Sequence, residues 1–535
     1  MTGWIQHSRL NNKFILLRDK TGHVQLIADR IDEDAFKPLK NANLESSICI
    51  EGTVIPRPEG QANSKIATGL IEVQVDSVKV VNPARSNLPF YIKPFNQANE
   101  ALRLKYRYLD LRHIWMQNNL KMRSDITLKM RNFLADNGFT EVETPSLFRR
   151  TPGGAREFIV PTHVEGQFYS LVQSPQQFKQ LLMAGGLGKY FQIARCYRDE
   201  GSRPDRQPEF TQVDIELAFS NCERIQTLIE ELLRSCWPDS RAIPSEPFPR
   251  LTYQDCMEKY GTDKPDLRFD NQIQHVSPSI MALGFEKSQF AEEISKSSGR
   301  AIEKLVKNQF PGVIVSYFEK TIENTVICSA SKFLPADARL SGDLGVITVS
   351  EDKNASLSAL GKVRQIMSEN YLVTKENDLK FCWVVDFPLF LPKENGQSGL
   401  QSAHHPFTRP HDEDIDLLET EPEKIRGQHY DLVLNGQEIG GGSIRIHESH
   451  VQKLVLEEIL KEDTTELDHM IEALNSGCPP HGGIALGLDR LVAIICKARS
   501  IRDVIAFPKT TGGKDLMSGS PAEIKKEDKD FYHIK

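Results

Sequence analysis

A run of alternating polar and apolar residues constrains the fold of this chain more than any other feature. The polar positions of the run are Gln212, Asp214 and Glu216, and the apolar ones are Val213, Ile215 and Leu217. Successive side chains of a strand point to opposite faces, so this pattern predicts a strand with a polar face and an apolar back. The segment before it ends in Arg198-Asp199-Glu200 and predicts a second strand, with Arg198 and Glu200 on one face.

An ordinary solvated sheet face would show the same alternation, so the pattern alone does not predict a site. Further charged residues lie at Glu438, Arg445 and Arg490, each beside a strand-like or glycine-rich segment. Charges of this kind at several separate points of the chain favour a shared binding site over a solvated face.

Size and composition limit the class of protein. A chain of 535 residues suggests three or four domains, and the 39% apolar and 26% charged residues are typical of a soluble globular protein. The net charge of −7 means that any RNA contact must come from local basic patches. Nine cysteines without a Cys-x-x-Cys pair argue against structural zinc and indicate a reducing compartment. The most apolar run, 491–496, is too short to span a membrane.

The first eighty residues predict a small barrel. Strand-like segments occur at Trp4–His7, Lys13–Leu17, His23–Ala28, Ser47–Val54 and Ile71–Val80. Five strands in this length fit a barrel of the oligonucleotide-binding (OB) type, which stacks bases on aromatic side chains. Phe14 is a candidate to stack a base and Gln25 to read a base edge, although a phenylalanine in such a strand is often a core residue. The first segment follows Met1 almost directly, which suggests an incomplete first strand and a trimmed N-terminus that would hide a targeting signal.

Residues 83–103 contain three prolines and predict a hinge. A helix with apolar residues at helical spacing follows and stops at Asn137-Gly138, and a strand from Phe139 to Glu143 precedes Pro145. An ordinary helix-strand unit would look the same. The composition changes between about 270 and 379, where no site-like cluster is visible, so this part predicts a separate folding unit.

Asn435-Gly436 between two strand-like runs is a strong hairpin signal. In that register Leu434 pairs with Gln437 and Val433 with Glu438, which makes Asp431 and Glu438 diagonal neighbours about 6–8 Å apart. Two like charges at this distance would repel, and a Mg²⁺ ion between them would relieve the repulsion. A solvated hairpin face remains the alternative.

Arg445 lies seven residues after Glu438, so strict alternation would point it away from that face. A bulge in Gly440-Gly441-Gly442 would turn it back, and the glycines would let a ligand approach the backbone. Lys179, in the helix-like segment after Ser174-Pro175, could be a surface lysine. Together with Arg445 it could instead hold a carboxylate, because an amide would leave the two cations unpaired at a cost of several kcal/mol.

Three segments resemble, in order, the signature motifs of the class II aminoacyl-tRNA synthetases. The helix, strand and proline of 104–145 resemble the first motif. Cys196-Tyr197-Arg198-Asp199-Glu200 with Arg206-Gln207-Pro208-Glu209-Phe210 resembles the second motif in its aspartyl form, and Gly482–Arg490 resembles the third. The resemblance covers nearly the whole chain, which is thereby identified as a member of the bacterial and mitochondrial type of aspartyl-tRNA synthetases.

The resemblance implies an α+β fold with an antiparallel-sheet catalytic domain, an N-terminal OB-type barrel and an α+β insertion domain. The expected bounds are 1–82 for the anticodon-binding barrel, 83–103 for the hinge, 104–269 and 380–520 for the two parts of the catalytic domain, 270–379 for the insertion and 521–535 for a tail.

The resemblance also implies the roles of individual residues. The catalytic residues would be Arg198, Glu200 and Arg490. ATP would be bound by Arg198, Asp199, Glu200, Gln207, Glu438, Gly487, Leu488, Asp489 and Arg490, with Arg490 stacked over the adenine. Aspartate would be bound by Ser174, Gln176, Lys179, Arg198, Gln212, Asp214, His404 and Arg445, the anticodon by Phe14 and Gln25, and Mg²⁺ by Asp431 and Glu438. One departure is Gly153, where bacterial members carry a glutamate; this glycine and Gly201-Ser202-Arg203-Pro204 resemble the mitochondrial members.

The implied function is that of an aspartate–tRNA ligase. L-aspartate and ATP would form aspartyl-adenylate, and the aspartyl group would pass to the 3′ end of tRNA(Asp) with release of AMP and pyrophosphate. The expected enzyme is a homodimer that needs Mg²⁺ but no zinc and no membrane, in the mitochondrial matrix or alternatively in a bacterial cytoplasm. The rival hypotheses are a sibling enzyme that uses asparagine or another amino acid, and a non-catalytic RNA-binding paralogue. Arg198, Glu438 and Arg490 argue against the paralogue, and charging of tRNA(Asn) stays open.

Overall fold

The computed structural model describes residues 1–93, 98–151, 154–200, 205–290, 292, 294–323, 325–374, 378–393 and 397–534, so Gly153 and Gly201–Pro204 lie outside the described residues. The strands are β1 (Thr2–Arg9), β2 (Phe14–Arg18), β3 (His23–Ile27), β4 (Ser47–Pro56), β5 (Ile71–Asn82), β6 (Thr140–Glu141), β7 (Leu147–Phe148), β8 (Ile159–Pro161), β9 (Phe168–Leu171), β10 (Lys189–Tyr197), β11 (Glu209–Ala218), β12 (Arg250–Thr252), β13 (Gln274–Ser277), β14 (Ile280–Phe285), β15 (Ile314–Lys320), β16 (Val326–Cys328), β17 (Leu344–Val349), β18 (Phe381–Pro388), β19 (Phe390–Pro392), β20 (Leu400–Ser402), β21 (Arg426–Leu434), β22 (Gln437–Ile444) and β23 (His481–Gly487). The helices are α1 (Glu33–Lys40), α2 (Glu100–Lys105), α3 (Arg107–Asp110), α4 (Ile114–Asp136), α5 (Gln176–Ala184), α6 (Cys222–Cys236), α7 (Tyr253–Tyr260), α8 (Lys296–Gln309), α9 (Lys353–Asn370), α10 (Ser449–Lys453), α11 (Asp468–Asn475), α12 (Leu488–Ile495) and α13 (Lys526–Phe531).

The chain forms two compact units. Unit 1 consists of Met1–Asp125, Gly201–Pro208 and Val492–Lys525, and unit 2 consists of Ile126–Glu200, Glu209–Leu491 and Lys526–Lys535.

Unit 1 contains the predicted barrel. Its strands close in the order β1-β2-β3-β5-β4, and β1 pairs with both β2 and β4. The first strand is therefore long enough to close the barrel, contrary to the expectation of an incomplete one. Side chains alternate along β2, so that Ile15 and Leu17 are buried inside the barrel while Phe14 and Leu16 are partly exposed. Phe14 is thus on the outer face of the barrel and is not a core residue.

Unit 2 is built on an eight-stranded sheet with the order β12-β18-β21-β22-β23-β11-β10-β6. The neighbours from β18 to β10 are antiparallel, and β12 and β6 pair in parallel at the edges. The mixed α+β fold with an antiparallel sheet is confirmed. On β11, Val213, Ile215 and Leu217 are buried on the back of the sheet, as the alternation predicts.

The segment between α7 and β18 has a sheet and a core of its own. Its strands have the order β13-β14-β17-β15-β16. Helices α8 and α9 contribute to a cluster of buried apolar residues that runs from Phe269 to Leu372. These residues are close to the limits that the change in composition suggested.

The first strand of the second motif is shorter than the sequence predicts. β10 ends at Tyr197, so Arg198 and Glu200 follow the strand instead of lying on its face. The reason is a change of backbone partner, because the Asp199 amide donates to the carbonyl of Arg156 at 2.7 Å and not to β11. The second strand, β11, has the predicted position.

Within the described parts of the chain, no helix has both the length and the apolar character needed to cross a lipid bilayer.

Candidate active site

Four buried charged side chains meet on the polar face of β11. Asp214 and Glu216 come from β11, Lys179 from α5, and Arg445 from the residue after β22. Lys179 lies on the face of α5 that packs on the sheet, since Gln176, Gln180 and Met183 recur at helical spacing and are also buried. β11 pairs with β23, so that Glu216 lies opposite Gly483.

Glu216 contacts both cations. Its Oε1 accepts from Arg445 Nε at 2.9 Å, and its Oε2 lies 3.2 Å from Lys179 Nζ. Lys179 Nζ also donates to Asp214 Oδ1 at 2.7 Å, and Arg445 Nη1 donates to Ser443 Oγ at 2.7 Å. Glu216 and Asp214 are 0% exposed, Lys179 is 2% and Arg445 is 4% exposed. The two distant cations therefore converge away from bulk water.

The two carboxylates of this cluster titrate in opposite directions. Burial favours the neutral acid in both, but Arg445 and Lys179 outweigh it at Glu216, whose pKa falls to about 2. Burial dominates at Asp214, and the pKa of this carboxyl is raised although Lys179 opposes the rise. Asp214 Oδ2 is buried and has no hydrogen-bond partner among the described residues. The cluster thus keeps one unused acceptor.

Three more residues of the predicted aspartate set, Ser174, Gln176 and Gln212, come from the segment before α5, from α5 and from β11, and α5 and β11 also carry the cluster. Ser174 and Gln176 line a small cavity together with His405. The Gln176 side-chain amide donates to Gln180 Oε1 at 3.0 Å, and Gln212 Oε1 accepts from Cys196 Sγ at 3.3 Å.

The two neighbouring histidines take different places. His405 lines the cavity with Ser174 and Gln176, and burial, followed by the charges of Arg445 and Lys179, lowers its pKa well below the usual value. The ring of His404 instead stacks on His429, with 3.6 Å between the centroids. His404 is exposed at its outer side, and desolvation of its inner side followed by the neighbouring His429 lowers its pKa. His404 therefore lies near Asp431 and Glu438, and its predicted contact with the aspartate substrate stays a prediction.

The hairpin β21–β22 has the predicted register, with Leu434 opposite Gln437 and Val433 opposite Glu438. The predicted bulge is present, but its extra residue is Ile439, just before the three glycines, because Leu432 pairs with Gly440. This bulge restores Arg445 to the face that carries Asp431.

Asp431 and Glu438 share that face with a glycine between them. A Cβ atom at Gly441 would lie 2.7 Å from Asp431 Oδ1 and 3.6 Å from Glu438 Oε1, so the two oxygens are within about 6 Å of each other. Both are hard oxygen donors of the kind that Mg²⁺ prefers, and the missing side chain leaves room for an ion. The pair therefore fits a magnesium ion.

Three residues that sequence reasoning missed adjoin this pair. His429 Nε2 lies 2.9 Å from Asp431 Oδ1, and burial is the main cause that lowers its pKa to about 3. His404, His429 and Asp431 each offer one ligand atom, and these atoms lie within 4.8 Å of one another. Lys264 Nζ lies 3.6 Å from Glu438 Oε2 and 2.6 Å from Asp263 Oδ2. Period-two alternation could have found His429, but no sequence signal indicates Lys264 or Asp263.

The third motif is placed next to Glu438. β23 ends at Gly487 and α12 begins at Leu488. The Arg490 guanidinium donates to the backbone carbonyl of Glu438, and Asp489 Oδ2 accepts from the Thr211 amide at 2.9 Å. Arg490 and Glu438 are thus brought together as predicted, and Asp489 holds β11.

The second motif supplies Arg198, whose guanidinium lies over the ring of Phe210, 5.0 Å from its centroid. Arg198 Nε is buried and has no hydrogen-bond partner among the described residues. Asp199 and Glu200 are exposed. Gln207 belongs to unit 1, where its side chain donates to Lys509 O at 3.0 Å and accepts from Lys509 N at 2.8 Å.

In unit 1, Phe14 and Gln25 both lie on the outer face of the barrel. Gln25 is opposite Leu16 on the neighbouring strand, and its amide donates to Glu72 Oε2 at 3.0 Å. The two predicted anticodon residues are therefore on one surface and partly exposed.

Comparison with known families agrees with this geometry. Residues 99–511 match the family described as class II tRNA synthetases for D, K and N, and residues 1–81 match the OB-fold nucleic acid binding domain. The mitochondrial aspartate–tRNA ligase of Bos taurus is 48% identical, covering 100% of this chain and 87% of that protein. The aspartate–tRNA(Asp/Asn) ligase of Dictyoglomus turgidum is 41% identical, covering 100% of this chain and 95% of that protein.

Solved structures share the fold. The asparaginyl-tRNA synthetase of Entamoeba histolytica, in complex with asparaginyl-adenylate, is similar with a TM-score of 0.61 and 20% identity, over 95% of this chain and 94% of that one. The aspartyl tRNA synthetase of the same organism has a TM-score of 0.58 and 19% identity, over 95% of this chain and 87% of that one. The resemblance drawn from the three motifs is confirmed: this chain belongs to the class II tRNA synthetases and, within them, to the aspartate–tRNA ligases.

Proposed function

We propose that this chain activates L-aspartate with ATP and transfers it to the 3′ end of tRNA(Asp). The observation that carries the proposal is the buried cluster of Lys179, Asp214, Glu216 and Arg445. An ammonium has three N–H donors, and Lys179 directs contacts to two carboxylates, so one donor remains for a substrate. Arg445 Nη1 has a second N–H besides the one directed at Ser443.

These groups complement the two charged ends of aspartate. The remaining donors of Lys179 and Arg445 suit its side-chain carboxylate, and the unpartnered Oδ2 of Asp214 suits its ammonium, with Ser174, Gln176 and Gln212 nearby. An asparagine amide is uncharged and has one acceptor oxygen where aspartate has two, so an N–H donor would face one of the cations, and the lost pairing costs several kcal/mol. The cluster therefore favours aspartate over asparagine.

Activation joins the α-carboxylate of aspartate to the α-phosphorus of ATP and releases pyrophosphate. The protein contributes position and charge, because no side chain has to exchange a proton. The half-buried Arg198 would neutralise the α-phosphate with its guanidinium, Glu200 and Gln207 would orient the nucleotide, and Arg490 would hold the adenine end. Asp431 and Glu438 would hold Mg²⁺, which supplies positive charge to the phosphates when bound.

The wider assignments follow the same proposal. The barrel of residues 1–82 would bind the anticodon through Phe14 and Gln25, residues 104–269 and 380–520 would form the catalytic domain, and the helix and strand of the first motif would form a homodimer interface. A location in the mitochondrial matrix is supported by the mitochondrial relatives from cattle and other species.

Amino-acid-dependent exchange of pyrophosphate into ATP tests the function. We expect exchange with aspartate, and at least a hundredfold less with asparagine or lysine at equal concentration. Exchange with asparagine above that with aspartate would identify a sibling enzyme, and none with any amino acid would identify a non-catalytic paralogue. Charging assays with tRNA(Asp) and tRNA(Asn) then decide the range of tRNA substrates.

A further inference from the structure

A segment outside the three motifs reaches the predicted metal site. We call Thr262–Arg268 the connector, because it follows α7 and leads into the inserted sheet. Its Lys264 contacts Asp263 at 2.6 Å and Glu438 at 3.6 Å, and its side chain is 34% exposed. The structure thus puts an ammonium beside a carboxylate that we assign to Mg²⁺.

Lys264 supplies a positive charge among three neighbouring carboxylates. Asp263, Asp431 and Glu438 would together carry three negative charges, and all three carboxylates interact electrostatically with the ammonium. Such a cluster would attract a free divalent cation, and Lys264 cancels one of its charges. A Mg²⁺ ion that arrives with a nucleotide brings phosphate charge to compensate the ammonium, whereas a free ion does not.

The insertion holds the connector in place. Arg364 of α9, which is 2% exposed, donates to the backbone carbonyls of Asp266 and Phe269 and, at 3.1 Å, to that of Asn271. The two backbones also touch, since a Cβ atom at Gly361 would lie 2.0 Å from the carbonyl oxygen of Gly261. At the other side, a Cβ atom at Gly436 of the hairpin turn would lie 3.2 Å from Asp266 Cβ. The connector is therefore fixed between α9 and the hairpin that carries Glu438.

We propose that Lys264 is a positioning residue whose ammonium partly neutralises the Asp431–Glu438 pair until metal and nucleotide bind together. Arg364 of α9 holds the connector, and with it Lys264, in place. This inference rests on the proposed function, because it needs the pair to be a metal–nucleotide site. The inserted segment then has a role, although it contains no site-like residues of its own. It supports the part of the site that binds the nucleotide.

Binding of Mn²⁺, measured by electron paramagnetic resonance of the free ion, tests the proposal on the full chain. In Lys264→Met we expect Mn²⁺ without ATP to bind about tenfold more tightly, the factor that Coulomb's law gives for a divalent and a monovalent cation about 6 Å apart in a water-like dielectric. The gain in Mn²⁺ affinity on adding ATP should shrink by the same factor. Lys37→Met is the matched control, because Lys37 also contacts an aspartate at 2.6 Å but makes no second ion pair in the described structure.

Unchanged or weaker Mn²⁺ binding in Lys264→Met would overturn the proposal. If that result came with aspartate-dependent exchange in the wild type, this inference alone would be wrong; if the wild type bound no Mn²⁺ even with ATP, the metal assignment would fail with it. Arg364→Lys keeps the charge but cannot reach three carbonyls, so it should shift Mn²⁺ affinity part of the way toward Lys264→Met. Wild-type Mn²⁺ affinity in a folded Arg364→Lys protein would refute the role of α9.

Discussion

At the scale of single residues, the candidate site depends on Glu216. This glutamate is fully buried and contacts both Lys179 and Arg445, so it brings together two cations from distant parts of the chain. A buried carboxylate is stable only while its partners are present, because its hydration has been lost. Glu216 therefore makes the position of each cation depend on the other.

Arg445→Leu should abolish aspartate-dependent exchange and lower the free energy of unfolding by about 3–5 kcal/mol, since Glu216 would keep only Lys179 as a partner. Urea denaturation and the exchange assay measure the two effects. Combining it with Glu216→Gln removes the uncompensated charge, so the double variant should be more stable than Arg445→Leu by about 1–3 kcal/mol and still inactive. Exchange restored in the double variant would mean that Arg445 only balances Glu216.

His429 should make the stability of the protein sensitive to mild acid. Its pKa is about 3 in the folded protein and about 6.5 when unfolded, so below pH 6.5 the unfolded state takes up the proton first. The contribution of neutral His429 to the free energy of unfolding is therefore fully present above pH 6.5 and decreases toward pH 3. This residue alone should lower the free energy of unfolding by about 2 kcal/mol between pH 7 and 5. Urea denaturation at both pH values should show a smaller loss in His429→Gln, and an equal loss would contradict the assignment.

At the scale of elements, polar–apolar alternation along the strands predicts which site residues share a face. It does not predict the backbone partners of those strands. The period of two placed Asp214 and Glu216 on one face of β11, and Asn435-Gly436 gave the register of the hairpin correctly. The position of the bulge at Ile439 and the end of β10 at Tyr197 depend on backbone partners elsewhere in the fold. Sequence periodicity carries no information on such partners.

Sequence patterns also do not predict contacts between segments that are distant in the chain. Lys264 and Glu438 meet although 174 positions separate them in the chain, and nothing in the connector's pattern points to the hairpin. The stacking of His404 on His429 is likewise a contact between distant segments that no sequence pattern indicates. Resemblance to a family supplied the set of residues, and only the fold shows which of them touch.

The hairpin predicts a glycine requirement that can be measured. In Gly441→Ala the new methyl group would lie 2.7 Å from Asp431 Oδ1, so the carboxylate must move from its place beside Glu438. We expect at least a tenfold higher KM for Mg·ATP in the exchange assay, with KM for aspartate changed much less. Gly312→Ala is the control, since a Cβ atom there would meet no atom within 4 Å. Equal effects on both KM values would indicate general distortion of the sheet.

At the scale of the whole molecule, the two tasks that we propose for the enzyme would fall to separate cores. The barrel packs around Ile5, Ile15 and Leu26, all within unit 1, and the charged cluster lies within unit 2. Exchange of pyrophosphate requires no tRNA, so it reports on activation alone, while aminoacylation also reports on recognition of the anticodon. The two assays can therefore separate the proposed roles of the barrel and of the sheet.

Phe14→Ala should raise KM for tRNA(Asp) by one to two orders of magnitude and leave aspartate-dependent exchange unchanged. The reason is that stacking of a base on an aromatic ring contributes about 1–3 kcal/mol, and Phe14 is on the outer face of the barrel, where its removal leaves no core cavity. Phe333→Ala, at a phenylalanine of unit 2 that is 39% exposed, is the matched control and should leave KM for tRNA(Asp) unchanged. An unaltered KM in Phe14→Ala would remove this residue from the anticodon surface, and a parallel loss of exchange would show that the barrel influences activation.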